Sequence, residues 1–269
     1  MKITMLGTGN ALVTNVYNTC FVLSDQKHKF LVDGGGGSTL LTQLKRSGID
    51  WKELKEIFVT HKHIDHIMGI IWMIRMITQH MSRGQYEGEA FIYAHDEVCA
   101  LLLDMSEKLL QKKDTRWIQD RLHIIAVSDG ERRDIMGRKV TFFDIQSTKA
   151  KQFGFCMELG NHEKLTCCGD EPYTECEKEY VENSTWLLLE AFCLYAQADI
   201  YKPYEKHHST VKDACEFAQR MHVKNLLLYH TEDDHVAHRK ELYGAEGRQY
   251  YQGNLYIPED LEVIELTDD

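Results

Sequence analysis

The segment Thr60-His61-Lys62-His63-Ile64-Asp65-His66 puts three imidazoles and a carboxylate into one short stretch. Imidazole nitrogen and carboxylate oxygen together suit Zn²⁺, with Mn²⁺ or Fe as other ions of similar preference. A solvated polar turn is the bland alternative. The pattern HxHxDH directly behind an apolar run makes metal binding the stronger reading. Further groups of the same chemical kind lie downstream. Gly169-Asp170 closes an apolar run, Leu228-Tyr229-His230 closes another, and His207-His208-Ser209-Thr210 precedes a helical pattern. On residue type alone a turn residue is the competing reading of Asp170, and a lone histidine such as His230 is more often structural. Asp33 opens the run Gly34–Gly37. No GxxxxGK[ST] is present, so these glycines read as a tight turn rather than a phosphate cradle.

The elements that must position these groups follow from hydrophobic periodicity. Strands are predicted at Lys2–Leu6, Cys20–Leu23, Lys29–Val32 and Glu56–Thr60, and again at Ala90–Tyr93, Ile124–Val127 and Val140–Ile145. Four more fall at Phe155–Leu159, Leu165–Cys168, Trp186–Leu189 and Asn225–Tyr229. Helical spacing runs from Leu40 to near Gly48, from Ile64 onward, over Asp96–Gln111, and after Thr210. There Thr210 and Asp213 read as a reciprocal capping box. Strand blocks broken by helices predict an α/β (α+β) fold: a four-layer αββα sandwich of two packed mixed sheets with helices on both outer faces. The metal-type residues recur just after strands, where loops on a rigid scaffold carry chemistry.

With 269 residues, three prolines and no linker-like stretch, the chain predicts one domain over 1–269. The net charge of −11 argues against broad adhesion to nucleic acid or anionic membranes. A bound cation would still supply local positive charge at a site. The start Met1-Lys2-Ile3 enters a strand with no secretory leader. The apolar run Ile64–Ile77 carries Asp65, His66 and Arg75 and is too short and polar for a membrane span. Eight cysteines without a CxxC pair read as buried thiols in a cytoplasmic protein.

HKHIDH behind an apolar strand, together with Leu6-Gly7-Thr8-Gly9 and Phe30-Leu31-Val32-Asp33-Gly34, resembles the metallo-β-lactamase superfamily. Within it the chain looks like ribonuclease Z and related phosphodiesterases. Gly169-Asp170, Leu228-Tyr229-His230-Thr231, His208-Ser209-Thr210 and Phe153-Gly154-Phe155 carry the likeness through the second half. The resemblance implies that His61 and His63 hold one metal and that Asp65, His66 and His230 hold a second, with Asp170 bridging. It further implies that Asp33 orients a ligand histidine by hydrogen bonding; capping of the glycine turn is the competing role. Asp65, His208 and Glu190 are its implied catalytic residues, with His208 as proton donor or phosphate contact, Glu190 as its orienting partner, and His207 able to take the same part.

Three departures stand out. Asp144-Ile145-Gln146-Ser147-Thr148-Lys149 lacks the family histidine that completes the first metal site; Gln146 or Ser147 occupies its place, and Gln146 would be a weak ligand. Leu189-Glu190-Ala191-Phe192 stands where ribonuclease Z carries His-Glu-Ala-Thr. No long basic arm separates Phe155 from Gly169, which argues against tRNA processing.

The expectation is thus a zinc-dependent hydrolase cleaving a phosphoester, in a nucleotide or RNA substrate, with a metal-activated water. The alternative is a catalytically impaired member with a weakened metal site that binds a nucleotide or partner. An acyl-substrate hydrolase of the lactamase or thioesterase kind is a third reading. The Met-rich helix after Asp65 reads as core, with a homodimer contact as the secondary option.

Overall fold

The computed structural model describes residues 1–266. The chain forms two compact units. The first comprises Met1–Gly7, Tyr17–Ser128 and the segment from Leu261; the second comprises Thr8–Val16 and Asp129–Asp260.

The first unit is built on a seven-stranded mixed sheet in the order Val263–Glu265, Lys2–Gly7, Cys20–Ser24, Lys29–Val32, Glu56–Phe58, Ala90–Ala94, Leu122–Ala126. The first four pair antiparallel and the last four parallel, with Val32 opposite Phe58. Strand Glu56–Phe58 ends two residues short of the expected Thr60, so Thr60 and His61 emerge at its carboxyl end. The helix Ile64–Ser82 buries Ile67, Ile70, Ile74, Ile77 and Met81, the 3.6-residue stripe visible in the sequence. These join Leu31, Ile57, Ile92 and Leu102 in one apolar core. Asp65 sits in the first turn of that helix, where a carboxylate is favoured by the helix dipole.

The glycine run serves this helix. A Cβ on Gly69 would stand 1.8 Å from the Gly34 carbonyl oxygen, so the two backbones touch. Gly34 donates to the His66 carbonyl and Gly69 to the Gly35 carbonyl, both at 2.9 Å. The turn after Val32 is thereby fastened to the helix that carries Asp65 and His66.

The second unit has its own seven-stranded mixed sheet, in the order Asn254–Tyr256, Asn225–Tyr229, Trp186–Glu190, Glu163–Cys167, Phe153–Gly160, Arg138–Asp144, Arg132–Ile135. The first four pair parallel and the rest antiparallel. Helix Val211–Arg220 starts at the expected capping box: Asp213 N–H donates to Thr210 Oγ1, and Thr210 N–H to Asp213 Oδ2. It turns Ala214, Phe217 and Ala218 onto a core of Leu187, Leu189, Leu226 and Leu228.

All eight cysteines are free thiols, six of them buried, as their scatter predicts. Among the described residues no helix is long and apolar enough to cross a membrane.

Candidate functional site

In both units the metal-type residues stand at the carboxyl ends of parallel strands. That is where side chains leave an open α/β sheet toward a ligand. Asp33 follows Lys29–Val32, and Thr60 and His61 follow Glu56–Phe58. Asp170 follows Glu163–Cys167, Glu190 ends Trp186–Glu190, and His230 follows Asn225–Tyr229. Glu190 is paired with Tyr229 in the ladder, which sets it one residue from His230 at the same sheet end.

In the first unit Asp33, Thr60, His61, Asp65 and His66 are all buried. Asp33 organises the group. Its Oδ1 accepts from Thr60 N–H, and its Oδ2 accepts from Thr60 Oγ1 and from His66 Nδ1, each at 2.8 Å. The Thr60 hydroxyl has one proton, which it gives to Asp33. Its oxygen therefore accepts from His61 Nδ1 at 2.9 Å, leaving His61 Nε2 as a lone-pair donor. His61 Nε2 faces His63 Nδ1 at 2.8 Å, and the His61 and His66 rings stand 4.2 Å apart. With His66 Nδ1 committed to Asp33, its Nε2 faces Asp65 Oδ2 at 3.3 Å. Asp33 itself adopts φ +57, a left-handed conformation that Asp tolerates better than most residues. Thr60 was not singled out in the sequence: its hydroxyl looks like any other until the fold sets it between Asp33 and His61.

In the second unit Asp170 Oδ2 stands 3.3 Å from His230 Nε2, both residues being buried. Glu190, His208 and His230 offer ligand-type atoms all within 4.8 Å of one another. Glu190 Oε2 lies 3.4 Å from His208 Nδ1, and its Oε1 accepts from Ser209 N–H and from Ser209 Oγ. Burial alone would lower the pKa of His208, but the hydrogen-bonded Glu190 carboxylate, with Asp170 behind it, outweighs burial and raises it. The His208 ring stacks on Phe192 at 4.9 Å. His207 is separate from this group. It is exposed, has φ +57 and pairs its Nδ1 with Thr148 Oγ1 at 2.8 Å.

Gln146 is exposed, with φ +55 and its N–H bonded to Asp144. Its neighbour Ser147 turns inward and donates to Glu171 Oε1 at 2.6 Å. Leu189 is buried in the core of its unit. Two residues without a sequence signal also belong to this surroundings: Glu171, buried directly after Asp170, and Lys149, whose Nζ lies 3.2 Å from His208 Nε2.

The donor set can be tested against a cation. Two ligand atoms bound at about 2.0–2.1 Å in tetrahedral geometry stand about 3.3 Å apart. The Asp65–His66 and Asp170–His230 pairs both have that separation, 3.3 Å. The His61–His63 pair is tighter at 2.8 Å. Buried imidazoles held through Nδ1 by Thr60 and Asp33, with Nε2 turned to the ligand side, are what such an ion requires. The residues fit a divalent metal.

Comparisons with known proteins agree. The profile of the family described as Anti-Pycsar protein Apyc1 matches residues 1–250. A ribonuclease Z of Nitrosopumilus maritimus is 24% identical over 295 residues, covering 91% of this chain and 96% of its own. Among solved structures, the metallo-β-lactamase fold protein YhfI of Bacillus subtilis superposes with a TM-score of 0.78 at 19% identity, over 98% of both chains. The short form of human tRNase Z gives 0.75 at 21% identity over the full length of both. The fold is that of the metallo-β-lactamase superfamily, the predicted αββα class, and the relationship is ribonuclease Z-like.

Proposed function

The chain belongs to the Anti-Pycsar protein Apyc1 family, and from that premise we propose that it is a metal-dependent phosphodiesterase acting on a nucleotide or RNA phosphoester. The observation that carries this reading is the pair of 3.3 Å carboxylate–imidazole edges, Asp65–His66 and Asp170–His230, each at the carboxyl end of a parallel strand or the helix that follows one. In this proposal His61, His63, Asp65 and His66 in the first unit, and Asp170 and His230 in the second, are the residues that would hold divalent ions. Gln146, exposed as it is, adds at most a weak contact. Zinc fits the donor set, and Mn or Fe would bind the same atoms.

Bound there, such an ion supplies Lewis acidity toward water and toward a phosphoryl oxygen. The rest is done by the chain. Asp33 and Thr60 fix the tautomers of His66 and His61, so each presents Nε2 without a search over ring orientations. Glu190 holds His208 by Nδ1, which leaves Nε2 to deliver a proton to the departing oxygen. The raised His208 pKa keeps more of the ring protonated near neutrality, the form a general acid needs. Phe192 prevents that ring from tilting away.

One observation favours the second reading, binding without turnover: Leu189 contributes only methyl groups where its ribonuclease Z-like relatives are expected to carry a histidine. The experiment is metal analysis of unchelated protein beside Asp65→Ala, with bis(p-nitrophenyl) phosphate as substrate. Loss of bound metal and of turnover in the variant is expected. An Asp65→Ala protein that keeps both overturns the proposal, and nucleotide binding by wild type without turnover moves the choice to the second reading.

A further inference from the structure

We propose that Lys149 is the residue that holds the substrate's phosphoryl group beside His208, an inference that rests on the phosphodiesterase reading. Lys149 Nζ lies 3.2 Å from His208 Nε2, the nitrogen left facing outward once Glu190 has taken Nδ1. In this arrangement the ammonium donates to Nε2; a phosphoester oxygen that takes over the ammonium frees Nε2 to carry the proton it passes on. An anionic non-bridging oxygen there gains a charge-assisted hydrogen bond from Lys149.

The placement is built rather than draped. Ser147 Oγ accepts from both Lys149 N–H and Ala150 N–H at 3.2 Å while donating to Glu171. Thr148 N–H donates to the other oxygen of Glu171 at 3.2 Å. Glu171 is buried and adjoins Asp170, so the loop that carries Lys149 is tied to the segment that carries a proposed ligand.

The electrostatics point the same way. Glu171 is engaged by the loop and Glu190 by Ser209 and His208. Among the described residues no carboxylate lies within ion-pair distance of Lys149; its ammonium faces an imidazole. A second cation, Lys206, sits 5.0 Å above the Phe192 ring on which His208 stacks. An anionic oxygen entering beside His208 is attracted by the Lys149 ammonium. A cavity of about 250 Å³ adjoins this loop; His208, Thr148 and the loop-bonded Glu171 belong to its lining, and Lys149 does not.

The test compares Lys149→Ala, Lys149→Arg and, as an exposed lysine elsewhere in the second unit, Lys139→Ala, all as full-length metal-loaded protein. Calorimetric titration with inorganic phosphate is the readout independent of turnover; KM and kcat for bis(p-nitrophenyl) phosphate are the second. Loss of one charge-assisted bond should raise the phosphate Kd and the KM of Lys149→Ala about tenfold. Lys149→Arg, which keeps the charge, should recover most of this. Lys139→Ala should match wild type. Equal phosphate affinity in Lys149→Ala and Lys139→Ala overturns the proposal, and does so without touching the phosphodiesterase reading if wild type turns over. Conversely, a wild type that binds phosphate through Lys149 but hydrolyses no diester with added Zn²⁺ upholds this site and overturns that reading.

Discussion

Replacing Asp33 by Asn isolates what its second carboxylate oxygen does. Asp33 is 3% exposed and accepts three hydrogen bonds of 2.8 Å. Asn has the same shape and also tolerates the observed φ of +57, so the backbone is not the variable. If the Asn oxygen stays on Thr60 N–H, its NH₂ faces two other donors, the Thr60 hydroxyl and His66 Nδ1–H. Each buried donor without an acceptor costs about 1–3 kcal/mol. Rotation of the Thr60 hydroxyl relieves one, so the net loss should be about 2 kcal/mol in metal-free protein. His66 can relieve the other only by moving its proton to Nε2, which removes the lone pair proposed for the metal. Metal affinity should therefore drop by roughly 10–100-fold, the usual effect of losing such an outer partner. Asp33→Ala should lose a similar factor in metal affinity, yet cost about 1–2 kcal/mol more in stability because alanine is strained at φ +57. Chelator competition gives the first quantity and urea unfolding of chelated protein the second. An Asp33→Asn protein whose metal affinity stays within twofold of wild type would refute the reasoning.

Gly69→Ala must push the helix Ile64–Ser82 off the glycine turn, since the new methyl would lie 1.8 Å from Gly34 O. A cost of about 2–3 kcal/mol or more is expected, whereas Gly37→Ala, with nothing within 4 Å, should change the unfolding free energy from urea titration by less than about 0.5 kcal/mol. Glu177 provides a pH test. Burial pushes its pKa up to about 7, against partial relief from Cys168 and Thr174. A carboxyl whose folded pKa is raised contributes stability that is fully present below its unfolded pKa, near 4.5, and lost as pH rises through about 7. Wild type should thus lose on the order of 3 kcal/mol relative to Glu177→Gln between pH 4.5 and 8; parallel pH profiles of the urea midpoint for the two proteins would contradict this.

How much of this was legible beforehand depended on the range of the interactions. The HxHxDH run, the stripe of Ile67, Ile70, Ile74 and Ile77, the strand Asn225–Tyr229 and the Thr210–Asp213 box are all local, and each lies where the pattern placed it. Three short strands carried no such pattern. Arg132–Ile135 is polar along most of its length and exists because it pairs back on Arg138–Thr141. Asn254–Tyr256 and Val263–Glu265 have three residues each at sheet edges, and the second finds its partner at Lys2–Thr4, across nearly the whole chain. Helix Arg239–Gly247 was missed as well. It begins at a buried arginine that bonds Thr8, Thr231 and Pro258, partners no window of sequence could supply.

The same division runs through the site. Composition and spacing alone pointed to the HxHxDH run as ligand-type donors at the end of a strand, because donor chemistry and strand periodicity are properties of residues and their near neighbours; Asp170 and His230 were singled out only by the family resemblance. Which nitrogen of His61 and His66 is held, that Glu190 grips His208 while His207 turns away, and that Lys149 meets His208 were decided by tertiary structure. Those facts depend, for His61 through the bond from Asp33 to Thr60 and for the others directly, on contacts between residues 18 to 59 positions apart, and only the tertiary fold brings such residues within 3.5 Å.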